Sequence, residues 1–159
     1  MKQKLLLFWL KLFLIVIAIC GLALFAFVLP DFGHRIKVAN PEFSHCFWPW
    51  LIFLLISGIP CFAVLVLAGK ILSGIEKGMP FTMQNAALLR GIAILAAADT
   101  AFFFVGNIVF LLLNMNHPGI VLMSLAIDFA GLTVAALFAV LAQLVKKAAE
   151  LQEQSDLTI

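Results

Sequence analysis

Four long apolar runs constrain this chain more than anything else in it. They lie at roughly Leu5–Leu29, Trp48–Gly69, Gly91–Leu113 and Gly119–Val145. A helix needs about 20 apolar residues to cross a hydrocarbon core, and each run is long enough. The chain is 65% hydrophobic and 11% charged, whereas a soluble domain is about half apolar and a quarter charged. The runs use most of the 159 residues, which leaves no room for a soluble domain. The expectation is an all-α polytopic membrane protein. It is a single membrane domain over residues 1–159, a four-helix transmembrane bundle running up-down-up-down.

The charges suggest an orientation. Lys2, Lys4, Lys11, Lys70, Lys77, Arg90, Lys146 and Lys147 flank the N-terminus, the middle loop and the C-terminal tail. Only Arg35 and Lys37 fall in the first loop, and the third loop has no basic residue. By the positive-inside tendency, both termini and the 70–90 loop face the cytoplasm, with a cytoplasmic tail from residue 146. The basic residues read as topology determinants beside anionic lipid, not as a nucleic-acid surface.

Cys20 and Cys61 fall within spans and are expected to pack as small apolar groups. Cys46 has no obvious partner, and three cysteines without regular spacing make no disulfide framework. The N-terminus imitates a secretory signal, with Lys2 and Lys4 before an apolar stretch. That stretch exceeds the signal range of about 7–15 residues and no A-x-A site follows, so it reads as an uncleaved span.

Trp9 suits the inner interface of span one, and Trp48 and Trp50 the outer interface of span two. Pro30 and the polar 31–40 stretch are expected to end span one. Pro60 is expected to kink span two, because it cannot donate a backbone hydrogen bond. The 70–77 stretch reads as an extension of span two or as a short helix lying at the interface, and Gly78 and Pro80 should stop either one. Thr82 should cap the next helix, with Asn85 the weaker competitor. A helix over 83–113 would be about 46 Å long and would outreach a core of about 30 Å. The short 114–118 loop makes spans three and four antiparallel neighbours. Ala93, Ala97 and Ala101 face Gly131, Ala135 and Ala139 in the expected interface, since small residues let helices approach in lipid.

Two acids lie inside spans, Asp99 and Asp128. A carboxylate at a helix centre costs about 2.5–3.5 kcal/mol on insertion scales, so each should face the bundle interior with a partner. Depth arithmetic matches Asp99 with Lys11 on span one. It also gathers Ser57, Asn107, Ser124 and Asp128 into a polar cluster nearer the outer side, with Asp128 neutral for want of a cation. Proton or cation coupling is the functional reading of these acids, and an interhelical lock is the structural one. His34, His45 and Cys46 with Asp31 and Glu42 match no compact metal-ligand spacing, so no metal is expected. No nucleophile elbow, H-E-x-x-H or phosphate-binding glycine loop occurs. The chain therefore reads as non-enzymatic and without a cofactor.

Two stretches carry a family resemblance. One is Gly78-Met79-Pro80-Phe81-Thr82-Met83-Gln84-Asn85 followed by Leu88-Leu89-Arg90-Gly91-Ile92-Ala93. The other is Ala149-Glu150-Leu151-Gln152-Glu153-Gln154-Ser155-Asp156-Leu157-Thr158-Ile159. Together they resemble a bacterial family of four-span membrane proteins catalogued as domain of unknown function 2975. Members commonly have Glu-Asn where Gln154-Ser155 stands here. The resemblance implies a protein of the bacterial inner membrane, often encoded next to a small helix-turn-helix transcription regulator. It implies no biochemical activity.

The residues fit a docking role on the inner side. Phe81, Asn85 and Arg90 of the loop are the candidate partner-binding residues, with Glu150, Leu151, Glu153, Asp156, Leu157 and Ile159 of the tail. The leading expectation is a membrane-embedded protein that holds or modulates a cytoplasmic partner, such as a helix-turn-helix regulator, without touching nucleic acid itself. The alternatives are a small transporter or ion-coupled subunit using Asp99 and Asp128, and an immunity or stress protein of the membrane. A homo-oligomer through a small-residue face stays open.

Overall fold

The computed structural model describes residues 2–156, and these are all-helical apart from short connections. The helices are α1 (Lys2–Ala23), α2 (Leu29–Ala39), α3 (Phe47–Glu76), α4 (Met83–Leu112) and α5 (Pro118–Asp156). A π-helical turn, Leu24–Val28, fuses α1 to α2, and a 3-10 turn, Pro41–Cys46, leads into α3. Four continuous helical stretches are long and apolar enough to cross a membrane. Their large apolar side chains, such as Leu6, Phe27, Ile59, Leu112, Met123 and Leu137, point outward, as lipid-facing surface requires.

Pro30 does not end span one. It occupies the first turn of α2, where its missing N–H needs no partner. Just before it, the Leu29 N–H bonds back to the Leu24 carbonyl, one residue further than in an α-helix. That wider turn makes room for the proline ring, and the helix runs on to Ala39. Pro60 likewise sits inside an unbroken α3, leaving the Ile56 carbonyl without its usual donor.

The connection between α3 and α4 forms as expected. Gly78 takes φ +78°, a left-handed stop. Thr82 caps α4, its hydroxyl oxygen accepting from the Asn85 N–H at 3.1 Å. Asn85 does not cap. Its side chain is buried and donates to the Met79 and Pro80 carbonyls at 3.1 and 3.0 Å, pinning the loop. At the other end, Asn114 adopts φ 57° and the Trp50 indole N–H donates to the Met115 carbonyl at 2.8 Å.

Helices pack in chain order, α4 against α5 most extensively, then α3 against α4, with α1 and α2 on α3. Thr100 meets Gly131, and Ala86 and Leu89 cluster with Val145 and Ala142. Rising numbers thus meet falling ones, and the pair is antiparallel. The α5 seam reads Ser124, Asp128, Gly131, Ala135, Phe138, Ala142, Val145, Ala149, every one buried or half-buried. Steps of four and three alternate along it, the 3.5-residue period of knobs-into-holes packing. This corrects the expected alanine stripe on α4. Ala97 and Ala101 are exposed, and the seam uses Ala93, Ala96 and Thr100. A constant step of four drifts about 40° per step around the helix, so such a stripe walks off the interface.

Candidate intramembrane polar site and candidate docking face

Asp99 lies on the face of α4 that meets α3. Its carboxylate accepts from the Ser57 hydroxyl at 2.9 Å and lies 3.9 Å from the Cys61 sulfur. Ser57 and Cys61 are four residues apart on one face of α3 and so meet the acid together. Cys61 is therefore more than apolar filling. Sequence reasoning missed this pair, although the i, i+4 spacing of two small hydrogen-bonding side chains inside a span was visible.

Lys11 is not the partner of Asp99. Its ammonium donates to Glu76 at the C-terminal end of α3. The reason is layering, since α1 packs chiefly on α3. Along α3, Glu76 and Ser57 are 19 residues apart, about 28 Å. The Lys11 and Asp99 levels are separated by that distance. The hydrogen bond and positive charge of Lys11 hold the Glu76 carboxyl below the ordinary glutamate range. The pair is partly exposed, so solvent screening should keep its coupling in a double-mutant cycle small. A Lys11→Ala/Asp99→Ala cycle should add to within about 0.5 kcal/mol. Both cycles can be read from urea or thermal unfolding in detergent.

Asp128 stands elsewhere, in the α4–α5 seam. It is only 6% exposed, and neither carboxyl oxygen has a hydrogen-bond partner among the described residues. It lies ten residues into α5, about 15 Å deep, which is half the core thickness. Three residues from the Thr100–Gly131 contact, it comes level with Phe103. Seven residues from that contact, Asn107 comes level with Ser124.

The expected cluster is thus divided. Ser57 belongs to Asp99, because it faces α4 from α3, whereas Asp128 faces α4 from α5. Asn107, Ser124 and Asp128 do share the seam and all are buried. Asn107 and Ser124 are already engaged, however. The Asn107 amide donates to the Phe103 carbonyl at 2.9 Å, its oxygen accepts from Asn116 at 3.0 Å, and Ser124 donates to the Val121 carbonyl at 2.8 Å.

In the outer segment, Arg35 pairs with Asp31 at 2.8 Å, Lys37 lies 5.4 Å from the Phe47 ring centroid and His45 stands 3.3 Å from Cys46. Among the described residues, no three His, Cys, Asp or Glu side chains come together as a metal site.

The candidate docking residues divide as well. Phe81 and Arg90 are exposed, and so are Glu150, Leu151 and Glu153. Glu150 lies 3.7 Å from Lys146. Asn85 is the exception, since it is buried and holds the loop, so it offers a partner no surface. Asp156 ends α5, whereas Leu157 and Ile159 lie outside the described residues. The antiparallel register brings Thr82 level with Ala149. The 150–156 segment of α5 therefore runs beyond the start of α4.

The sequence profile of the family described as "Protein of unknown function (DUF2975)" matches residues 31–159. The chain is 31% identical over 153 residues to "Uncharacterized membrane protein YoaS" of Bacillus subtilis (strain 168), covering 95% of this chain and 96% of that protein. No solved structure matches the chain.

Proposed function

The chain belongs to the DUF2975 family, and we propose that it is a non-enzymatic protein of the bacterial inner membrane that tethers a cytoplasmic partner. The four spans run up-down-up-down with both termini in the cytoplasm, as the eight-to-two distribution of basic residues favours. The partner is a small helix-turn-helix transcription regulator, held through Phe81, Arg90 and the end of α5. One observation carries the reading. The helix continues past the level of the α4 cap as an exposed acidic segment with Glu150, Leu151 and Glu153. An exposed helix end can fill a partner's groove.

The test is a mild-detergent pull-down that compares the intact chain with one ending at Ala149. The expected result is a helix-turn-helix protein recovered with the intact chain and at least tenfold depleted with the truncation. Equal recovery with both versions would place the contact elsewhere, and no such protein with either would remove the tether. The unpartnered Asp128 carboxyl favours a second reading, an ion-coupled subunit. Tethering survives Asp128→Asn and fails on truncation, whereas ion flux in vesicles would show the opposite pattern.

A further inference from the structure

At the basic end of the protein, the last turns of α3 and the first turns of α4 border an open cleft of about 560 Å³. Its lining starts at Val66, within the apolar run of span two, and reaches Lys77, beyond the end of that run. Lys70, Ser73, Gln84 and Leu88 lie between. Lys70 and Lys77 are two turns apart on one helix face, about 10 Å along the axis. No carboxylate lines the cleft, and neither lysine forms an ion pair among the described residues. The nearby acid, Glu76, is turned to Lys11 instead. The space beside Gly69 is open, since a Cβ there would meet nothing within 4 Å.

Two unpaired ammonium groups border a space that passes from apolar to polar within about three turns. A matching ligand has an anionic head and an apolar body. Basic pockets between transmembrane helices take acidic lipid headgroups for this reason, and lysine suits phosphate as a mobile point charge. We infer that this cleft binds an anionic phospholipid, with its phosphate between Lys70 and Lys77 and its acyl chain descending past Val66. A soluble anion would use the two charges and gain nothing from the apolar end. Only the leaflet, the inner one, rests on the orientation proposed above. Binding itself does not, and it is independent of the tether.

The test uses the full-length protein in detergent, titrated with phosphatidylglycerol, phosphatidylcholine or glycerol phosphate and read by native mass spectrometry. Phosphatidylglycerol should bind and phosphatidylcholine should not. Each lysine neutralised should cost about fivefold in affinity, so Lys70→Gln/Lys77→Gln should lose about 25-fold. Gly69→Phe fills the space without changing charge and should also abolish retention. If that variant fails to fold, the exposed lysine pair still decides the matter. Equal binding of the two lipids, or affinity unchanged by the double substitution, overturns the inference. Glycerol phosphate binding as tightly as the lipid would reassign the cleft to a soluble anion and overturn the lipid claim as well.

Discussion

Asp128→Leu is expected to stabilise the protein in detergent by about 1–3 kcal/mol, the penalty of a buried polar group left without a partner. Both oxygens of this carboxyl are shut away from solvent, with no hydrogen-bond partner among the described residues. The neighbouring Ser124 hydroxyl and Asn107 amide are committed to other acceptors, and the facing residue is Phe103. Leucine fits a seam that is otherwise mostly apolar and is also the better helix former. Asp128→Asn removes the charge but keeps the polarity, so its gain should be smaller. Thermal unfolding ranks the three proteins. The result also bears on function, because an acid that weakens its own helix interface calls for a reason. If Asp128→Leu is stabilising and partner recovery is unchanged, the acid stands outside the tether. If it destabilises, Asp128 has a stabilising partner in the membrane, a bound cation or a donor, and ion coupling becomes the better reading.

Much of the fold was legible because it follows from local rules. Apolar run length gave the four spanning helices, and Gly78, Pro80 and Thr82 gave the connection between α3 and α4 residue by residue. What escaped was lateral order. Depth arithmetic assigns a level to each side chain but says nothing about which helix stands beside which. Lys11 was matched to Asp99 on level alone, whereas α1 touches α3 and its lysine finds Glu76. Ser57 was grouped with Asp128 for the same reason and belongs to Asp99. The π turn before Pro30 was hidden differently. Proline reads as a stop in sequence, but a first-turn position preceded by one wide turn removes the conflict. The seam period was available and misread. Ser124, Asp128, Gly131, Ala135, Phe138, Ala142, Val145 and Ala149 carry the alternation of four and three in plain view. Small residues at every fourth place suit close approach in lipid, but that step walks off the interface.

Gly106→Ala should be among the most damaging single-methyl additions to the chain. A Cβ at Gly106 would overlap the Phe53 ring. A ring edge can often swing aside, but this one is held. Phe53 is 6% exposed, with Phe102, Phe103 and Phe110 centroids at 5.0, 5.5 and 5.2 Å and Trp50 at 5.8 Å. Accommodating the methyl therefore means moving α3 away from α4 or rearranging the whole aromatic cluster. Overpacking of this kind costs about 1–3 kcal/mol. Alanine recovers about 1 kcal/mol of it through helix propensity, leaving a net loss of up to about 2 kcal/mol. The control is Phe53→Leu, which shortens the obstructing side chain. In that background Gly106→Ala should be neutral or stabilising, so the two changes should couple strongly in a cycle of thermal unfolding measurements. A full loss in both backgrounds would mean that the α3–α4 approach is set by something other than the Phe53 ring. The nearby Ser57–Asp99 hydrogen bond spans the same interface. Spreading the helices at Gly106 would also loosen the intramembrane acid that α3 holds.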